Sequence, residues 1–211
     1  MSAVTSRPTG LETRRAILDA ALDLFSERSF DGAPTRAIAE LAGVTQPLLN
    51  YHFAGKEELW RAAVDDLFER FRTSMQGRLS GLRGVDDVTI AKLMVRHFVE
   101  FSAENPQLHR IIMQESKRES GRLDWIVETH VRPLYESAVA TFQGLAKGRE
   151  FAPVAPAHLY YLLIGAGATA FVMAPECQRL TGVDPFAPEF VAAHADLVVD
   201  LMIRATTKEP I

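Results

Sequence analysis

Apolar positions recur at helical spacing along nearly the whole chain, and no strand pattern of convincing length interrupts them. The first stripe is Ile17, Ala21, Leu24 and Phe25, entered through Thr9-Gly10-Leu11-Glu12, a capping box with Glu12 at N3. It predicts a helix to about Arg28. Two short helices follow, at 35–42 and 46–52. Leu59, Ala63, Leu67, Phe71 and Met75 form a long stripe over 56–80, which Gly77, Gly81 and Gly84 bring to an end. Another helix is predicted over 86–104. Asn105-Pro106 is a cap followed by proline at N1, and the helix it starts runs to about Glu119. The next spans 122–147, with Pro133 kinking or interrupting it. The last two are expected at 156–174 and 188–205. The fold class is therefore all-α, with about nine helices. The first three are expected to form a head, residues 1–57, and the rest a helical bundle, residues 58–211, with the helix over 56–80 linking both.

The head carries the most informative stretch, from Thr35 to Leu59. Ala39 is small where two helices must cross closely. Gly43 stands where the chain leaves the first of them with φ > 0, a conformation that is open to glycine. Val44 fills the gap. Thr45 can cap the second helix through its hydroxyl, and Pro47 falls in that helix's first turn. Such a pair is a helix-turn-helix, the unit that lays its second helix in the DNA major groove. Gln46, Asn50, Tyr51 and His52 are polar or amphipathic, while Leu49 and Phe53 are left to pack inward. The amides can pair bidentately with adenine. Tyr51 and His52 can reach phosphates, sugars or thymine methyls. Lys56 opens the next helix, so its ammonium and that helix's free N–H groups face one anion. Arg36 is a second phosphate candidate. Thr35, Arg36, Thr45, Gln46, Pro47, Asn50, Tyr51, His52 and Lys56 are thus the expected DNA-contacting set.

Ile38-Ala39, Ala42-Gly43-Val44-Thr45, Leu49-Asn50-Tyr51-His52-Phe53 and Lys56-Glu57-Glu58-Leu59 resemble the signature of the TetR (tetracycline-repressor) family of bacterial regulators. The preceding segment resembles that family's first helix and connector, so the likeness covers about the first quarter of the chain. Asn50 stands where the family usually has an aromatic, which opens the phosphate contact expected there to conversion into a base contact. Leu48 stands where a small hydroxyl residue is common. The resemblance implies a homodimeric regulator, more often a repressor than an activator. A small molecule in the C-terminal bundle would control its grip on operator DNA. Its dimer would read half-sites about 34–36 Å apart.

Charge argues mildly the other way. The net charge is −4, and residues 1–56 carry six basic and six acidic side chains, so no basic patch shows by count. Four of those acids, Asp19, Asp23, Glu27 and Asp31, lie on or just after the first helix and can sit away from phosphates. The alternative function is accordingly a helical ligand-binding or interaction protein whose head has lost DNA recognition. A single cysteine excludes an intramolecular disulfide framework, and the N-terminus has no apolar run. A cytoplasmic location is expected.

No charged residue occurs from Ala152 to Pro175. Pro153 and Pro156 shorten this stretch below a membrane span, and no Lys/Arg cluster flanks it, so no membrane role is expected. A helix covered by a second subunit fits better, with Gly165, Ala168 and Phe171 meeting Leu197 and Leu201 of the last helix across a two-fold axis. Phe68, Phe71, Met75, His97, Phe101, Met113, Gln114, Trp125 and Tyr161 are candidates for a pocket holding an apolar or aromatic effector, although each is individually more often plain core. Only a reversed pair, His97-x-x-Glu100, approaches a di-metal pattern, so no metal is expected. Cys177 is placed in a loop between the last two helices. No phosphate loop, catalytic triad or nucleotide fingerprint appears, so neither an enzyme nor a cofactor is expected.

Overall fold

The capping box forms at the first helix: Thr9 Oγ1 accepts from the Glu12 N–H at 3.3 Å, and Glu12 accepts from the Thr9 N–H at 2.7 Å. The computed structural model describes residues 9–146 and 154–206. Helix α1 spans Gly10–Gly32, α2 Thr35–Leu41, α3 Gln46–His52 and α4 Lys56–Leu79. The chain divides into two compact units, one ending at Arg70 and one starting at Phe71. Helix α4 begins in the first and ends in the second.

In the first unit Ile17, Ala21 and Phe25 of α1, Ile38 of α2, Leu49 of α3 and Trp60 of α4 are buried together in the core residues of that unit. Gly43 turns the chain from α2 to α3 with φ 67°. A ring of four charges ties α1 to α4. Arg15 pairs with Asp19 at 3.2 Å and Asp66 at 2.9 Å, and Arg70 pairs with both aspartates at 2.6 Å. Its members are partly exposed, so the ring orients the two helices more than it stabilises them.

Helix α1 is not regular to its end. Ser29 has φ 60° and ψ 173°, a region that essentially only glycine occupies without strain. The stripe of apolar spacing stops at Arg28 for this reason, and the chain turns there toward Phe30. Ser29→Gly is expected to raise the stability of the first unit by about 1 kcal/mol, because the strain lifted exceeds the extra chain entropy. Chemical denaturation followed by Trp60 fluorescence in a Trp125→Phe background measures it. A decrease would show that Ser29 is held by contacts worth more than its strain.

The second unit contains α5 (Asp87–Glu104), α6 (Pro106–Glu115), α7 (Gly121–Ile126), α8 (Arg132–Ala146), α9 (Pro156–Val172), α10 (Ala174–Thr181) and α11 (Pro188–Thr206). Its core lies between α5, α9 and α11 and includes Val95, Val99, Leu159, Phe171, Val198 and Met202. Two expectations need correction. Cys177 is not in a loop. It is part of α10, because Pro175 occupies the first turn of a new helix, where its missing N–H costs nothing. The stretch over 122–147 is also more than a kinked helix. A π-helical segment, Val127–Val131, joins α7 to α8, with the Arg132 N–H donating to the Val127 carbonyl. Pro133 follows at once, and its missing N–H leaves one carbonyl of the preceding turn without a helical donor. The part of the expected helix and connector at 147–153 lies outside the described residues. No strand occurs among those described.

Candidate nucleic-acid interface

Helix α3 is seven residues long and shows two unlike faces. Leu49 and, just beyond the helix, Phe53 are buried, and they fix the helix against the core. Asn50 and Tyr51 are exposed, Tyr51 by 83 %. Pro47 and Leu48 are exposed as well, and His52 is half-buried with its ring edge-on to Tyr51 at 5.4 Å. An exposed tyrosine of this extent on a short helix leaves a large apolar-and-polar contact surface open to solvent.

Thr45 precedes α3 with extended backbone but makes no side-chain cap bond, contrary to the expectation for its hydroxyl. Its backbone carbonyl alone accepts from the helix, from the Leu48 N–H at 3.0 Å and the Leu49 N–H at 3.1 Å. Gln46 turns inward instead. Its Nε2 donates to Thr35 Oγ1 at 3.2 Å and to Asn50 Oδ1 at 3.1 Å, while its Oε1 is buried with no protein partner. Thr35 thus links the start of α2 to α3 through an amide.

The two cations expected at phosphates are both engaged. Arg36 pairs with Glu40 at 3.1 Å, a highly exposed pair that a phosphate can replace at small cost. Lys56 lies 4.8 Å over the ring of Phe30 and donates to the Asp31 carbonyl at 3.4 Å. These contacts hold its ammonium beside the strained turn at Ser29. The first turn of α4 also carries Glu57 and Glu58, and Glu58 accepts from the Ala54 N–H at 2.9 Å. Neither Glu40 nor the Asp31 carbonyl was singled out from sequence. The i,i+4 spacing of Arg36 and Glu40 was the available signal.

The residues named for an effector do not all converge. Phe68 belongs to the first unit. In the second, Phe71 stacks on His97 at 5.5 Å and meets Phe101 edge-on at 5.0 Å. Ser74, which sequence did not single out, stands 2.9 Å from His97 Nε2 and donates its own proton to the Phe71 carbonyl. Nδ1 of His97 is buried without a hydrogen-bond partner. Burial, and then the nearby Arg78 charge, hold His97 below the usual histidine range. Trp125 packs edge-on to His130 at 5.1 Å. Met75 and Gln114 are half-buried, whereas Met113 and Tyr161 are exposed.

The residues named for a subunit contact also divide. Ala168 and Phe171 are buried in the chain's own core, while Gly165, Leu197 and Leu201 are exposed. Of the two glycines in the small-residue stripe, Gly167 serves the chain itself. A Cβ there would stand 2.7 Å from the Phe98 ring of α5. A Cβ at Gly165 would meet nothing within 4 Å.

The pattern of bacterial regulatory proteins of the tetR family matches residues 17–63, which takes in α1 from Ile17 onward, the α2–α3 pair and the first turns of α4. An uncharacterized HTH-type transcriptional regulator of Pseudomonas putida, TtgW, is 31% identical over 110 residues, 52% of this chain and 79% of that protein. The chain belongs to the TetR family. It is a DNA-binding transcriptional regulator. Another relative of this TetR-family chain is the HTH-type transcriptional regulator RutR of Escherichia coli (strain K12). The two are 28% identical over 169 residues, 80% of this chain and 78% of RutR. The fold is shared along nearly all its length with a TetR-like transcriptional regulator from Rhodococcus sp. RHA1. There the TM-score is 0.67 at 21% identity, covering 94% of this chain and 97% of that one. Among the described residues of this TetR-family protein, no single helix is long and apolar enough to cross a membrane. Helices α9 and α10, which have the composition only together, meet at 74°.

Proposed function

We propose that this TetR-family protein is a homodimeric repressor of the bacterial cytoplasm, without catalytic activity, cofactor or membrane attachment. Residues 1–57 read operator DNA, and residues 58–211 provide the dimer contact and an effector site. The observation that carries the DNA role is the division of α3, with Leu49 locked in the core and Asn50 and Tyr51 offered to solvent. The effector is an apolar or aromatic small molecule. The setting of His97, stacked on Phe71 and beside Phe101, supports that choice. A dimer across the exposed sides of α9 and α11 is supported by Tyr161, Leu162, Leu197 and Leu201, which are large and exposed. An effector preferring the dimer geometry that is out of register with DNA shifts the population toward it. Helix α4, common to both units, is the element to carry that shift.

Binding of the full chain to DNA selected from random duplexes tests the roles. Gln46→Ala is expected to relax the base preference at a cost of about 1–3 kcal/mol on the selected site. Lys56→Ala should weaken selected and scrambled duplexes about equally and flatten the salt dependence. Equal losses for both variants on every duplex would sink these assignments.

A further inference from the structure

We propose that Asn50 meets DNA solely as a hydrogen-bond donor, and that Thr35 and Gln46 are the positioning residues that make it so. This rests on DNA recognition by α3. The Gln46 NH2 spends one proton on Thr35 Oγ1 and the other on Asn50 Oδ1. The Gln46 oxygen is buried and unpartnered. Turning both amides over would instead bury an NH2 with two unmet protons, and orphaned N–H groups are rarer in proteins than under-satisfied carbonyls. The observed sense is therefore the lower in energy.

With its oxygen engaged, the exposed Asn50 presents Nδ2 and its two protons outward. Adenine, the usual partner of an asparagine, requires the side chain to accept from N6 as well as donate to N7. Oδ1 of Asn50 is turned to Gln46, so its remaining lone pair does not lie alongside Nδ2 for that two-point contact. Its partner is an edge that only accepts: N7 and O6 of guanine in the major groove, or the oxygens of a phosphate. Thr35, on a different helix, thus sets the polarity of a residue that it does not touch.

Selection from random duplexes with the full wild-type chain, Asn50→Asp and Thr35→Val tests this. Asn50→Asp exchanges the two donors for acceptors at almost the same shape. If guanine is the partner, one half-site position held as G by the wild type changes to C, the base that donates from N4, and affinity for the wild-type site falls about tenfold. There Thr35→Val releases the Gln46 amide and lets adenine in beside guanine. If phosphate is the partner, the consensus stays as it was. Asn50→Asp then weakens every duplex by a similar factor, and Thr35→Val weakens all of them to a smaller, even extent. The proposal is overturned if Asn50→Asp changes neither consensus nor affinity. It is also overturned if the position it alters is adenine in the wild-type consensus. A wild-type chain that enriches no sequence and binds without salt dependence would overturn DNA recognition itself, a result distinct from either.

Discussion

Phe171→Ala is expected to destabilise the second unit by about 3–5 kcal/mol. The ring is completely buried and belongs to the core between α5, α9 and α11. It stacks with Phe186 at 6.0 Å and receives the edge of His194 at 5.7 Å. Removing it leaves a hole that α9 cannot close by moving inward, because Gly167 already brings that helix against the Phe98 ring. Denaturant unfolding of the full chain, compared with Leu201→Ala, separates core from surface. Leu201 is exposed, so its truncation should change stability by well under 1 kcal/mol at concentrations where the chain is monomeric. A loss below about 1 kcal/mol for Phe171→Ala would show that the core does not depend on this ring.

Acidification should destabilise the same unit by an amount traceable to one side chain. His109 is buried, and desolvation pushes its pKa down to about 4 from the ordinary 6.5. Its Nε2 stands 3.0 Å from Ser102 Oγ, whose own proton goes to the Phe98 carbonyl, so the neutral ring is the donor to Ser102. Above pH 6.5 the imidazole is neutral whether folded or unfolded, and its contribution is fully present. As pH falls from 6.5 toward 4, the unfolded chain takes up a proton that the folded chain refuses, and stability drains away. At about 1.4 kcal/mol per pH unit the loss reaches about 3 kcal/mol near pH 4. His109→Gln keeps an N–H for Ser102 and cannot titrate. Stability measured at pH 7 and pH 4 should fall about 3 kcal/mol further in the wild type than in the variant. Equal losses would mean that His109 accepts its proton inside the fold.

The helices were legible wherever the chain announces its own boundaries. Thr9 with Glu12, Pro106 and Pro156 are chemical starts, and the structure uses each one, whereas Asn105 makes no cap bond to α6 and donates instead to the Phe101 carbonyl of α5 at 3.2 Å. Ala174-Pro175 carries the same kind of signal, yet its proline reads equally well as the end of α9 or the start of α10. The π segment lies just ahead of Pro133, and apolar spacing does not register a change from α to π turns. Ser29 occupies a glycine-like conformation without being glycine, so nothing in its identity reveals the turn.

The site was legible in part for a related reason. A pattern of polar and apolar positions tells which face of α3 is outside, and it did so for Leu49, Asn50 and Tyr51. It does not tell which way an amide is turned. Gln46 faces Thr35, eleven residues earlier, and that partner is visible only once α2 and α3 are placed. Phe171 and Leu201 pose the same difficulty in the second unit. Both lie on apolar stripes, but one fills the chain's own core and the other remains outside. Periodicity counts hydrophobic faces without saying whose surface covers them.

Cys177 gives this protein a built-in reporter. It is the chain's one thiol, and on α10 it is partly accessible. A nitroxide attached there marks a single backbone position per subunit with no background mutation, and a two-fold dimer then yields one spin–spin distance. Recording that distance with and without operator DNA would turn a ruler fixed by the sequence itself toward the question of whether the subunits move relative to one another on release.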